Sequence, residues 1–143
     1  RFEWFLEKAT EIGISHIYPF LSKRSERKVI TPLRLEKILT AAMKQSKNLY
    51  LPTLHPLQTL DKLIAHDFSI QQKFIAHCMD PNEALQTKYT SKSEAIVLIG
   101  PEGDFTEEEV QLAKNHHWQE ISLGASRLRT ETAGIVACHL LNL

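Results

Sequence analysis

The sequence predicts an α/β fold with a mostly parallel sheet flanked by helices. Three short apolar segments, "QKFIAHC", "EAIVLIG" and "EISLG", are typical of buried strands, and the second is a continuous apolar run of the kind found inside parallel sheets. Helical patterns alternate with these strands along the chain. We find no internal repeat and no long linker, so residues 1–143 are expected to form one domain.

The helices are predicted from apolar spacing and from residues that start or end helices. "RFEWFLEKATEIG" places its apolar residues on one face, and Gly13 stands at the expected C-terminal cap. A second helix follows Thr31 as cap and Pro32 as first residue, with Leu35 and Leu39 facing inward. "TLDKLIAH" is a short helix with Thr59 as its cap. Two shorter pieces, "HIYPF" and "LPTLHPL", are predicted to be extended.

The bulk composition is that of an ordinary globular protein. Of the 143 residues, 43% are hydrophobic and 24% are charged, and no apolar run approaches the length of a membrane span. Two distant cysteines, Cys78 and Cys138, favour reduced thiols in a cytoplasm, and both are expected to be buried. We expect a soluble cytoplasmic protein.

Charge is distributed unevenly although the net charge is zero. The segment 22–48 carries two acidic residues and eight basic ones: Lys23, Arg24, Arg27, Lys28, Arg34, Lys37, Lys44 and Lys47. Such a segment is consistent with a patch that faces a polyanion, although a charge run alone more often belongs to a solvated surface.

Two loops stand where ligands of open α/β sheets bind, beyond the carboxyl ends of strands. In "IGPEGDFTEEEV", Gly100 and Gly103 bracket a tight loop before a helix whose start has a capping box, Thr106 with Glu109. The loop has neither the dinucleotide fingerprint nor a P-loop, so phosphate binding is disfavoured. Taken alone, such a loop is more often a structural turn than a binding loop.

The second loop, "LGASRLRTETAG", places Arg127 and Arg129 before a helix for which Thr130 is the predicted cap. Cations are disfavoured at a helix N-terminus, so we expect these guanidiniums to serve an anionic ligand or a developing negative charge. The alternative is an ion pair with Glu102, Asp104 or Glu131.

Other chemistries are poorly supported. The pairs His77-Cys78 and Cys138-His139 lack the close spacing of zinc ligands, so no metal site is expected. No nucleophile motif accompanies a serine or cysteine.

Five segments occurring in order, "KATEIG", "SKRSERK", "AAMKQS", "LIGPEGDFTEEEV" and "SLGASRLRTETAG", resemble the RsmE family of bacterial 16S ribosomal RNA uracil-N(3) methyltransferases. The resemblance covers almost the whole chain, and it departs at "KQSKN", where Lys47 and Asn48 stand where relatives often have arginine. It implies a SPOUT-superfamily domain with a C-terminal trefoil knot and S-adenosylmethionine as cofactor. It also implies a homodimer acting on 16S ribosomal RNA or the small ribosomal subunit. Family members carry an N-terminal RNA-binding domain and a first strand that would precede Arg1, so we expect a catalytic domain alone.

The resemblance also assigns residues. Cofactor contacts would fall on His77, Cys78, Ile99, Gly100, Pro101, Glu102, Gly103, Leu123, Gly124, Ser126, Leu128 and Thr132. Arg129 would stabilise the uracil anion or hold the target phosphate, and RNA phosphates would contact Arg24, Arg27, Arg34 and Arg127. A related SPOUT enzyme acting on transfer RNA or another ribosomal position, and a non-catalytic RNA-binding module, are the alternatives.

Overall fold

The structure is a computed structural model. It describes residues 2–25, 31–47, 50–70, 72–78, 83–124 and 127–142. The elements, in chain order, are α1 (Phe2–Ile12), β1 (His16–Ile17), β2 (Phe20–Leu21), α2 (Pro32–Ser46), β3 (Thr53–Leu54), β4 (Gln58–Thr59), α3 (Leu60–Ala65), β5 (Gln72–Ala76), α4 (Leu85–Lys88), β6 (Ala95–Ile99), α5 (Glu107–Asn115), β7 (Gln119–Ile121) and α6 (Thr130–Leu141).

A three-stranded parallel sheet with strand order β6-β5-β7 forms the centre of the fold. The central strand is buried on both faces: Phe74 and Ile75, which point to opposite sides, are each fully inaccessible to solvent. Ile75 belongs to a core cluster with residues of α3 and α5, whereas Phe74 packs with residues of α4 and α6. The predicted α/β class with helices on both sides of parallel strands is confirmed.

A smaller layer is built by α1 and α2. Their buried residues Leu6, Leu35 and Leu39 form a cluster with Ile17 of β1. Two further parallel pairs, β1 with β3 and β2 with β4, make two-stranded sheets separate from the central one. The segment predicted as one extended piece, "HIYPF", is therefore two strands, because Pro19 between them has no N–H to continue a ladder.

The predicted helix boundaries are largely confirmed. Gly13 adopts a φ of +111° and its N–H bonds to the carbonyl of Ala9, which ends α1. Pro32 is the first residue of α2 and Thr31 occupies its cap position, although the Thr31 side chain makes no cap hydrogen bond. The capping box between Thr106 and Glu109 is present in full.

Two elements differ from the sequence-based expectation. The strand in "EISLG" ends at Ile121, and Ser122 forms only an isolated bridge with Ala84. The four-residue helix α4 precedes the second strand of the sheet and is too short to show a helical period in the sequence. The trefoil knot stays a prediction. None of the described helices has the length and apolar character needed to cross a membrane.

Candidate functional site

The three central strands end side by side. Ala76, the last residue of β5, pairs with Ile99 on one side and with Ile121 on the other, and these are the last residues of β6 and β7. The segments that follow the three strands therefore leave the sheet at one edge, where parallel α/β sheets bind ligands. These segments contain most of the cofactor contacts that the resemblance implied.

After β5, His77 and Cys78 have different surroundings. The His77 side chain is buried, with its Nε2 atom 2.9 Å from Oε2 of Glu120, so its ring is directed to this carboxylate. Cys78 is exposed, contrary to the expected burial of both cysteines, whereas Cys138 is buried as expected. Burial raises the pKa of the Cys138 thiol to about 11, so of the two thiols Cys78 is the one accessible to solvent.

Glu120 is held between two basic groups. Its Oε1 atom lies 3.0 Å from the Lys114 ammonium, on the opposite side from His77. Burial acts to raise the pKa of Glu120, but the hydrogen bonds and charges of Lys114 and His77 outweigh it, so the pKa lies below its ordinary value. This network fixes the His77 ring beneath the strand end.

After β6, the loop from Gly100 to Asp104 is tight and tied on several sides. A Cβ atom on Gly100 would lie 3.1 Å from the ring of buried Phe105, so glycine permits the close packing. The Asp104 N–H donates to the Pro101 carbonyl at 2.8 Å, which closes the turn. Glu102 and Gly103, at the tip of this turn, are exposed.

Arg24 lies against this loop. Its guanidinium Nη1 donates to the Gly103 carbonyl at 2.6 Å, and a Cβ atom on Gly103 would lie 3.1 Å from the Arg24 side chain. The basic segment and the glycine-containing loop, separated by 79 residues in sequence, therefore meet at the site. Arg24 retains guanidinium donors beyond the one bonded to Gly103, and its side chain is at the protein surface.

After β7, Leu123 and Gly124 lead toward α6. Gly124 has a φ of +137°. A Cβ atom there would meet nothing within 4 Å, so there is open space beside this residue. Thr130 was predicted to cap α6; this is wrong, since Thr130 is the first helical residue and Arg129 occupies the cap position. The Thr130 hydroxyl donates to the Gly100 carbonyl at 2.9 Å, so it connects the start of α6 to the residue after β6.

Arg127 and Arg129 are both exposed. Among the described residues, neither guanidinium forms an ion pair with Glu102 or Asp104. The ion pair with Glu131, the third part of the alternative explanation, stays a prediction. Leu128 between the two arginines is half-buried, and Thr132 is exposed in the first turn of α6.

The remaining candidates lie elsewhere. Arg34 of α2 forms a two-contact ion pair with Glu3 of α1, with nitrogen-to-oxygen distances of 3.0 and 3.1 Å. Ser126 and Arg27 lie outside the described residues. Among the residues with described positions, no three His, Cys, Asp or Glu side chains are grouped as metal ligands.

Sequence reasoning missed three side chains that organise the site: Asp104, Glu120 and Thr130 in its bond to Gly100. Asp104 has a positive φ of +66° directly after Gly103, and an Asp at a turn of this kind is a recognisable signal. The Glu120 and Thr130 contacts join segments far apart in sequence and leave no local pattern.

The chain is similar to known RNA methyltransferases. The family model described as an RNA methyltransferase domain matches residues 1–142. The Ribosomal RNA small subunit methyltransferase E of Rickettsia conorii is 29% identical over 134 residues, which cover 92% of this chain and 55% of that protein. These relatives therefore extend well beyond the length of this chain.

Solved structures are also similar. A probable rRNA-methyltransferase from Porphyromonas gingivalis is 37% identical with a TM-score of 0.89, covering 99% of this chain and 62% of that one. The Ribosomal RNA small subunit methyltransferase E from Neisseria gonorrhoeae, solved bound to S-adenosyl methionine, is 28% identical with a TM-score of 0.83, covering 97% of this chain and 60% of that one.

The resemblance to the RsmE family is thus confirmed by proteins that carry that family's name. Because the family model accounts for nearly all of the sequence, the chain belongs to the RNA methyltransferase domain family.

Proposed function

We propose that this chain is the catalytic domain of an S-adenosylmethionine-dependent methyltransferase that modifies N3 of a uracil in 16S ribosomal RNA. The observation that carries the proposal is the convergence of three strand-end segments at one edge of the sheet, where the hydrogen bond from Thr130 to Gly100 holds the main chain of Arg129 next to the β6 loop. The enzyme would act in the cytoplasm as a homodimer on 16S ribosomal RNA or the small ribosomal subunit.

The strand-end edge fits the cofactor. It presents main chain and open space: the main-chain N–H and C=O of Leu123 have no partner in the described part of the chain, and the space beside Gly124 is open. An adenine ring needs both a donor and an acceptor, which such main-chain groups supply. The residues proposed to hold the cofactor are those implied above, with His77 contributing through its main chain because its ring is bound to Glu120. When bound, S-adenosylmethionine supplies an electrophilic methyl group.

Arg129 is proposed to act on the nucleobase. The uracil N3 atom is a weak nucleophile until its proton leaves, and the resulting negative charge spreads onto the two ring oxygens. An arginine at the N-cap of α6 can stabilise this charge or hold the phosphate of the target nucleotide. The bond from Thr130 to Gly100 keeps the Arg129 main chain next to the β6 loop.

We propose that RNA phosphates contact Arg24, Arg27, Arg34 and Arg127. Arg24 is already placed beside the Gly103 loop, so it would bring the backbone of the RNA to the cofactor site. The ion pair between Arg34 and Glu3 is at the surface, and exposed pairs of this kind contribute about 0 to 1 kcal/mol, so a phosphate can replace Glu3 at low cost.

The test is methyl transfer from labelled S-adenosylmethionine to 16S ribosomal RNA or small subunits, with the product identified as N3-methyluridine by mass spectrometry. We expect Arg129→Ala to lower turnover about 100-fold with cofactor affinity unchanged. Arg34→Ala, which removes a guanidinium of α2 instead, should retain turnover at saturating RNA. Transfer to transfer RNA alone would favour the related enzyme, and cofactor-independent RNA binding without transfer would favour the non-catalytic module.

A further inference from the structure

The Asp104 carboxylate joins two of the strand-end segments. Its Oδ2 atom accepts a hydrogen bond from the Cys78 N–H at 3.0 Å, and its Oδ1 atom accepts one from the Phe105 N–H at 2.7 Å. Cys78 follows β5, whereas Asp104 and Phe105 follow β6. One side chain therefore holds the end of one loop against the end of the other, 26 residues away in sequence.

The backbone at Asp104 indicates that this contact depends on its side chain. Asp104 has a φ of +66°, a conformation that glycine adopts freely and that other residues adopt at some cost. Glycine would allow the same backbone conformation, but it has no side-chain oxygen to accept the hydrogen bond from the Cys78 N–H. The aspartate thus provides the carboxylate at a position where the backbone favours glycine.

The Asp104 carboxylate also connects the Cys78 segment to a residue of the hydrophobic core. Phe105 is fully buried in the cluster between the sheet and α5, so its N–H is a fixed point. Cys78, in contrast, is exposed. The bond from the Cys78 N–H to Asp104 therefore connects a surface segment to the core.

We infer that Asp104 is a positioning residue that sets the separation between the Cys78 segment and the Gly100–Gly103 turn, and thereby the width of the cleft that receives the methyl donor. This inference rests on the proposed function of the same edge. Asp104 acts through the Cys78 main chain, and hydrogen bonds to charged acceptors are strong enough for its loss to loosen the segment.

The decisive variant is Asp104→Gly, which keeps the left-handed backbone accessible and removes only the carboxylate. We expect amide hydrogen exchange at Cys78 to become about tenfold faster and S-adenosylmethionine to bind about tenfold more weakly by calorimetry. RNA affinity should change little, and the melting temperature should fall by about a few degrees, because two hydrogen bonds to a carboxylate are lost. Asp104→Asn, which keeps one carbonyl oxygen and tolerates positive φ, should recover part of both effects.

Asp67→Gly is the matched control, because the Asp67 carboxylate also accepts a main-chain N–H, from Ser69 at 2.9 Å, in an exposed turn. It should leave Cys78 exchange and cofactor affinity as in the unmodified protein. The inference is overturned if Asp104→Gly leaves Cys78 exchange unchanged, or if exchange accelerates while cofactor affinity stays the same. If the unmodified chain binds no cofactor, the proposed function fails, and the exchange measurement still decides the link between Asp104 and Cys78.

Discussion

The Thr130 hydroxyl donates a hydrogen bond to the Gly100 carbonyl oxygen at 2.9 Å, joining the first residue of α6 to the residue after β6. Two segments that sequence analysis treated as separate loops are thereby one structure. The bond fixes the main chain on either side of it: the Gly100–Gly103 turn on one strand end, and Arg129 at the start of the helix. In the proposed function, this contact sets the position of Arg129 relative to the turn that would bind the cofactor.

Replacement of Thr130 by valine tests this contact, because valine keeps the shape of threonine and removes the hydroxyl. We expect a loss of about 1 kcal/mol in the free energy of unfolding, the usual contribution of one hydrogen bond. We also expect a turnover decrease of several fold, because Arg129 is no longer anchored. Thr130→Ser, which retains the donor, should behave like the unmodified protein in urea unfolding and in methyl transfer. Equal turnover in Thr130→Val and Thr130→Ser would show that the Thr130 hydroxyl does not position Arg129 for methyl transfer.

The sequence was sufficient for the central architecture. Apolar runs marked β5 and β6 as buried parallel strands, and local signals at Gly13, Pro32 and Thr106 marked helix ends. Such signals lie within a few residues, so they can be read without the fold. Thr130 shows the limit: its residue type suggested a cap, but its hydroxyl is used by Gly100, 30 residues earlier, and only the packing of α6 against β6 brings them together. Family resemblance, rather than periodicity, pointed to most of the site residues.

Gly134 tests the packing of α1 against α6. A Cβ atom at this buried position would lie 2.5 Å from the ring of Phe5. Alanine in place of a helical glycine ordinarily stabilises by about 0.5 to 1 kcal/mol, but overpacking costs about 1 to 3 kcal/mol. We expect the overpacking to dominate, so Gly134→Ala should lower the midpoint of thermal unfolding. In a Phe5→Leu background the same change should be neutral or stabilising, and an identical loss in both backgrounds would contradict the proposed clash.

The lowered pKa of Glu120 predicts that the free energy of unfolding depends on pH. Hydrogen bonds from Lys114 and His77 outweigh the opposing effect of burial and hold the pKa of Glu120 below its ordinary value in the folded protein. Because its pKa is lowered, the Glu120 side chain binds fewer protons in the folded state than in the unfolded state. Its contribution to the free energy of unfolding is therefore present above the unfolded pKa, about 4.3. That contribution is lost as the pH falls through the lower pKa of the folded state. Glu120→Gln should cost about 1 to 2 kcal/mol at pH 7, and the cost should decrease as the pH falls below about 4.3, as measured by urea unfolding.

The matched control for this network is Lys114→Gln, because the Lys114 side chain is about half exposed and its ion pair with Glu120 is weakened by solvent. It should lower stability at pH 7 by less than Glu120→Gln. A Glu120→Gln variant that loses the same free energy at pH 7 and at pH 3 would show that the carboxylate charge is not what stabilises this region.

Cys78 offers a direct probe of the cofactor site in the unmodified chain. Its thiol is exposed at the strand-end edge, whereas burial raises the pKa of Cys138 to about 11, so N-ethylmaleimide should modify Cys78 selectively at pH 7.5. If S-adenosylmethionine binds across this edge, a concentration of about ten times its dissociation constant should slow the labelling about tenfold, because only the unbound fraction reacts. Mass spectrometry of the labelled peptides follows both cysteines at once, and Cys78→Ser should abolish the fast reaction. Calorimetry shows whether the cofactor is bound. If Cys78 is then labelled at the same rate with and without the cofactor, the cofactor binds away from this segment, and Cys78 is not part of the cofactor site.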